Sequence, residues 1–159
     1  MQRLNLPTYS FTIKSEGKRQ LIFDAIRKKY VVLTPEEWVR QNFARYLVDE
    51  KSCPPALIAI EKQFTYNRMS KRADILVYGR DARPLMMVEC KSPAVKIGQR
   101  VFDQVALYNL SFALNYLVVT NGLKHYCCRL ENGGGGGFSY LAEIPDYSVM
   151  QAGSALSKD

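Results

Sequence analysis

The stretch PLMMVECKSP, residues 84–93, constrains the chain most. Four consecutive apolar side chains, Leu85 to Val88, commit it to a core, yet it ends in Glu89, Cys90 and Lys91, with Pro93 just beyond. A short apolar run bounded by turn residues reads as a buried strand. Along a strand, residues two apart share a face, so Glu89 and Lys91 point one way and Cys90 points the other, into packing. Their Cα atoms then lie roughly 6.6 Å apart, close enough for both head groups to meet one phosphate.

Upstream, ADILVY at 73–78 is a second short strand and GRDAR is a turn. So tight a connection predicts an antiparallel hairpin, because a parallel return needs a crossover of about a dozen residues. The start of one strand then lies beside the end of the other, which brings Asp74 near Glu89. Two carboxylates about 4 Å apart repel by an illustrative ~4 kcal/mol at an effective dielectric of 20. A divalent cation removes that cost, and hard oxygen donors suit Mg²⁺. Lys91 beside such a site is placed to orient or deprotonate an attacking water, or to stabilise charge on a phosphate. The plainer alternative is a solvated rim carrying an ordinary ion pair.

The remaining chain predicts one mixed α/β domain. TPEEWVRQNFARYLVDE has Thr34 as N-cap, Pro35 at the first helical position and Glu37 at the third, which predicts a helix over 35–49. Glu37 has two readings, the closing carboxylate of a capping box or a water-mediated metal contact. ALIAIEKQFTY reads as a strand carrying Glu61, an alternative for the extra carboxylate. Val101, Val105, Tyr108 and Phe112 predict a helix over 99–113, on which Gln104 and Tyr108 share a face. YLVVT and LKHYCCRL are strands separated by Asn121-Gly122, a two-residue hairpin signal. Residues 1–19 read as an extension, with a short strand around Tyr9 to Ile13; QLIFDAIRKKYVVL has no clean period. The five glycines at 133–137 predict a surface loop rather than a phosphate cradle, and 151–159 a flexible tail.

The formal charge is +7, from 22 Lys and Arg against 15 Asp and Glu, which favours a polyanionic partner. Residues 14–29 hold six basic and two acidic side chains. Arg68, Lys71 and Arg72 precede Asp74, and Lys96 and Arg100 follow Lys91, so these five could contact phosphates flanking a scissile bond. The four cysteines include no CxxC pair, and with His125 the one histidine, structural zinc is poorly supported and a reduced, cytoplasmic protein is expected. Polar residues interrupt the uncharged run from Gln104 to Leu123, so a buried helix followed by a strand fits it better than a membrane span.

The array of Glu37, Asp74, Glu89-Cys90-Lys91 and QVALY resembles the PD-(D/E)XK nuclease superfamily, and most closely the N-terminal nuclease domain of type I restriction enzyme R subunits. RADILVY and YNLSFALNYLVVTNGLKHY are similar to stretches of that group, over roughly residues 20–130. The resemblance implies a restriction-endonuclease-like core, a central mixed β-sheet flanked by helices, at residues 20–150. It implies a Mg²⁺-dependent endonuclease acting on DNA, with Mn²⁺ able to substitute. Asp74, Glu89 and Glu37 would surround the metal, Lys91 would assist attack, and Gln104 and Tyr108 match a Q-x-x-x-Y element that positions substrate. Restriction-modification subunits or an ATP-dependent translocase are the implied partners. Ala73 stands where the superfamily pattern has proline, and the signatures of a translocating motor are absent. The rival expectations are an inactive nucleic-acid-binding or assembly module of the same fold, and an RNase or other phosphodiesterase.

Overall fold

The computed structural model describes residues 1–66, 68–109, 114–131 and 137–156, and their side chains except at 66, 107–109 and 154–156. Three antiparallel strands come first: β1 (Ile13–Glu16), β2 (Arg19–Asp24) and β3 (Lys29–Val32). The segment without a clean period is therefore a hairpin. Its pattern is blurred because Leu21, Ile22 and Asp24 are buried in succession around a half-buried Phe23. The boundary expected at residue 19 falls inside this sheet, since Glu16 pairs with Arg19.

Helix α1 (Pro35–Asp49) matches its predicted span, with Thr34 accepting a hydrogen bond from the Glu37 amide at 3.0 Å. A six-stranded sheet follows: β4 (Ile58–Tyr66), β5 (Met69–Tyr78), β6 (Pro84–Cys90), β7 (Tyr116–Thr120), β8 (His125–Leu130) and β9 (Phe138–Leu141), in that spatial order. Among the described residues only β6 and β7 pair in parallel, and α2 (Gln99–Asn109) lies within their crossover. The expected β5–β6 hairpin is present. The expected two-residue turn after β7 is not: Thr120 pairs with His125, so four residues connect the strands. Asn121 explains the longer turn, because its Oδ1 accepts from the amides of Leu123 and Lys124.

Hydrophobic layers cover both sheet faces. Val39, Phe43 and Leu47 of α1, with Tyr147 and Met150 of α3 (Tyr147–Leu156), pack on Ile60, Ile75, Val77, Met86, Val88 and Val118. Phe102 and Ala106 of α2 pack on Leu76, Met87, Leu117 and Val119. The result is a mixed sheet flanked by helices, a restriction-endonuclease-like α/β core. Helix α3 runs into the segment expected to fray, since fully buried Met150 anchors it and Gln151 Oε1 accepts from the Arg80 amide at 2.9 Å. Residues 133–136 of the glycine run lie outside the described residues. No helix among the described residues is long and apolar enough to cross a membrane.

Candidate functional site

The sheet breaks its own alternation where β4 and β5 carry their acids. Ile60 pairs with Ile75 and Lys62 with Ala73, which sets Glu61 opposite Asp74. Ile60 and Ile75 pack in the α1 layer, whereas Ala73 packs in the α2 layer. Glu61 and Asp74 nevertheless reach α1 as well, each through Arg40. Two successive residues on each strand thus address one layer. Glu61 absorbs the irregularity with a φ of +52°, a conformation uncommon outside glycine, Asn and Asp.

This turn of the chain builds an ionic network beneath α1. Arg40 donates through Nη2 to Asp74 Oδ1 at 2.8 Å and through Nη1 to Glu37 Oε2 at 2.9 Å. Arg27, from the β2–β3 turn, meets Asp24 at 2.5 Å, Glu37 at 2.7 Å and Glu61 at 3.0 Å. Gln41 donates to the same Asp24 oxygen, Oδ2, at 2.9 Å, and Arg72 reaches Glu61 at 2.9 Å. Glu37 is therefore not the reciprocal arm of a capping box; its carboxylate is shared between two guanidiniums. Burial favours the uncharged Asp24 carboxyl, but bonds from the Arg27 backbone and side chain and from Gln41 outweigh it and hold the group below its ordinary range. Burial likewise opposes charge on Arg40, and Glu37 and Asp74 overcome it, raising its pKa.

Asp74 also touches the ECK strand, for its Oδ2 accepts from the Cys90 amide at 2.8 Å. Extending the Ile75–Val88 register by one residue sets Asp74 opposite Glu89. Glu61, Asp74 and Glu89 thus form a row across three adjacent strands. Their counter-ions differ. Alternation from Met87 and Val88 puts Glu89 on the α2 side, where Lys71 Nζ lies 2.5 Å from its Oε1. Cys90 packs on the α1 side as expected, and burial pushes its thiol well above the ordinary value. The half-buried Lys91 has its main chain tied to the Thr120 carbonyl at 2.8 Å, and among the described residues no carboxylate lies within ion-pair distance of its Nζ. The structure brings Asp74 and Glu89 into one row but turns them to opposite layers, Asp74 toward α1 and Glu89 toward α2, each on its own cation, so the two head groups do not converge as expected. Among the described residues, no group of three or more His, Cys, Asp or Glu side chains is arranged to hold a metal.

Of the remaining expected site residues, Arg68, Lys96, Arg100 and Gln104 are exposed, whereas Lys71 and Arg72 already carry acids. Tyr108 belongs to α2, but its side chain lies outside the described residues. His125 is half-buried and away from this row; its Nδ1 meets Thr120 Oγ1 and its Nε2 the Asn5 carbonyl. Sequence reasoning missed Asp24, Arg27, Arg40 and Gln41. The spacing of Glu37 and Arg40, three apart on one helix, was the available signal for Arg40.

Among solved structures, a fragment assigned to the HsdR subunit of a type I restriction enzyme from Vibrio vulnificus YJ016 is similar at 23% identity, with a TM-score of 0.44, over 67% of this chain. The similarity spans 23% of that chain. Comparison with curated proteins returned no match. The family model for the type I restriction enzyme R protein N terminus matches residues 35–145, which is more than half of the sequence and takes in α1, the acidic row and the ECK strand. The chain belongs to the family of type I restriction enzyme R protein N termini.

Proposed function

We propose that the chain is a metal-dependent deoxyribonuclease domain that hydrolyses DNA phosphodiester bonds as part of a restriction-enzyme R-subunit-like assembly. The observation that carries this reading is the Asp74 carboxylate seated against the Cys90 amide, at the end of the strand that presents Glu89 and Lys91. Family membership supports it.

The donor set fits Mg²⁺ in kind, since Asp74 and Glu89 offer hard oxygens and Mg²⁺ is commonly held by one or two protein carboxylates together with substrate phosphate. Joint ligation would require Glu89 to leave Lys71 and turn toward Asp74. Mn²⁺ would substitute. When bound, the ion would act as a Lewis acid on the phosphoryl oxygens. Each carboxylate oxygen has two lone pairs, so one accepted hydrogen bond leaves Asp74 able to ligate. Glu37, held between Arg27 and Arg40, would orient water at the edge of the site. Lys91, with no acid of its own among the described residues, would orient the attacking water, accept its proton, or steady charge on the phosphate. Gln104 and Tyr108 would position substrate, while Arg68, Lys96 and Arg100 would meet flanking phosphates. Catalysis of this kind is mostly positioning and electrostatic stabilisation.

A second reading has its own observation. Arg40 and Lys71 already neutralise Asp74 and Glu89, as they would in an inactive binding or assembly module of the same fold. Cleavage of duplex DNA and of RNA, measured with Mg²⁺, with Mn²⁺ and with chelator, decides between them. Metal-dependent loss of duplex DNA that is absent in Asp74→Asn supports the nuclease. Equal degradation by both proteins, or metal binding that ignores the substitution, removes it.

A further inference from the structure

The basic excess early in the chain is not spent in the acidic row. Six basic and two acidic residues occupy positions 13–32. Of these, Asp24 is fully buried and engaged with Arg27. Lys14, Lys18, Arg19, Lys28 and Lys29 are all exposed, Glu16 is the remaining acid of the segment, and none of the five cations has a carboxylate within ion-pair distance among the described residues. A fold that satisfied only itself would have no need to gather five exposed cations against one remaining acid, Glu16 across from Arg19, on so small a sheet. We propose that the β1–β3 sheet is a second phosphate-binding surface, outside the catalytic row, that seats the backbone of duplex DNA; this rests on the reading that the chain acts on DNA.

Three features favour that partner. First, four of the five cations fall in two groups, Lys18 and Arg19 at the β1–β2 turn and Lys28 and Lys29 at the β2–β3 turn. The six-residue β2 separates them, a span of roughly 20 Å at ~3.3 Å per residue. That span covers about six base-pair steps at ~3.4 Å each. Second, the sheet offers little to a single strand, which needs open aromatic faces for stacking. Tyr30 is already met edge-on by Phe23 at 5.2 Å, and Lys14 Nζ lies 4.1 Å from its ring centroid. Third, the surface is held rigidly to the acids. Asp24 Oδ1 accepts from the Ile26 and Arg27 amides at 2.8 Å each, which shapes the turn before Lys28. Arg27 then bridges from that turn to Glu37 and Glu61. A duplex held on the sheet would keep a fixed bearing on Asp74.

The test is anisotropy of a short labelled duplex, titrated with the full chain in chelator over a series of salt concentrations, with folding followed by circular dichroism. Combining Lys18→Ala, Arg19→Ala, Lys28→Ala and Lys29→Ala should raise Kd at least ~10-fold and flatten the plot of log affinity against log salt, by about 0.9 for each phosphate no longer neutralised. Lys18→Arg, Lys28→Arg and Lys29→Arg together should retain both affinity and slope. An unchanged slope in the alanine variant, or no duplex binding by the wild type at low salt, overturns the proposal. So does an alanine variant that binds duplex normally but no longer binds phosphatidylserine vesicles, which would assign the surface to a membrane. Chelation keeps the measurement apart from cleavage, so a wild type that never cuts DNA leaves this result standing.

Discussion

Arg40 on α1 and Asp74 on β5 are joined by a 2.8 Å contact between Nη2 and Oδ1, and the same guanidinium holds Glu37 on its own helix. Its Nε is buried without a hydrogen-bond partner. The residue thus spends its shortest contacts on Glu37 and Asp74, with Glu36 and Glu61 each 3.4 Å from the same guanidinium. Removing one member of a buried ionic network leaves the others charged and unpaired, which costs about 3–5 kcal/mol. Arg40→Ala should lower unfolding free energy by that order in a urea titration. Arg40→Lys should recover part of it, since an ammonium cannot reproduce the fork that spans Glu37 and Asp74. A midpoint unchanged by Arg40→Ala would show that the network contributes nothing net.

Lys91 makes the opposite case. With no acid paired to its head group among the described residues, Lys91→Ala should leave the thermal midpoint within a degree or two while abolishing metal-dependent cleavage. Proton transfer by a positioned group contributes about 10²–10⁴-fold, so the rate should fall by that order with duplex affinity largely kept. Equal rates in wild type and variant would remove Lys91 from the mechanism.

How far these elements were legible depended on whether neighbours in sequence carried the signal. Thr34, Pro35 and Glu37 announced α1 because a helix start is written in adjacent residues. The β5–β6 hairpin could be read from the short GRDAR turn, and Asp74 opposite Glu89 followed from it. The partners of those acids could not be read, because Arg27, Arg40 and Lys71 lie 10, 34 and 18 positions from Glu37, Asp74 and Glu89. Nor does a strict two-residue period anticipate the break at Glu61 and Asp74 that turns both toward α1. The β2–β3 hairpin was hidden by burial on successive residues, and the Asn121 turn by a side chain that imitates backbone.

Asp24 gives the network a pH signature. Its folded carboxyl is held below the ordinary value of 3.8, because hydrogen bonds from Arg27 and Gln41 outweigh burial. The unfolded chain then takes up a proton first as pH falls. The contribution is fully present above the unfolded pKa and is lost as pH drops through the lower, folded one. Urea midpoints of wild type should fall steeply below about pH 4. Asp24→Asn should be less stable at neutral pH and show a flatter acid limb. Parallel curves for the two proteins would place the acid sensitivity elsewhere.

Two glycines separate backbone strain from crowding. Gly17 and Gly122 have φ values of +60° and +83°, so alanine at either meets the left-handed penalty, about 1–2 kcal/mol. A Cβ at Gly17 would meet nothing within 4 Å, whereas one at Gly122 would lie 2.7 Å from Leu4 Cδ2 and 3.1 Å from Val39 Cγ2. Leu4 and Val39 are buried together, and the Gly122 carbonyl accepts from the Asn5 amide at 2.8 Å, so the N-terminal segment must shift to make room. Overpacking of that kind costs a further ~1–3 kcal/mol. Gly122→Ala should therefore destabilise clearly more than Gly17→Ala, and it should speed proteolysis near Leu4 while Gly17→Ala does not. Equal losses in the two variants would mean that the N-terminal residues do not pack on the turn after β7.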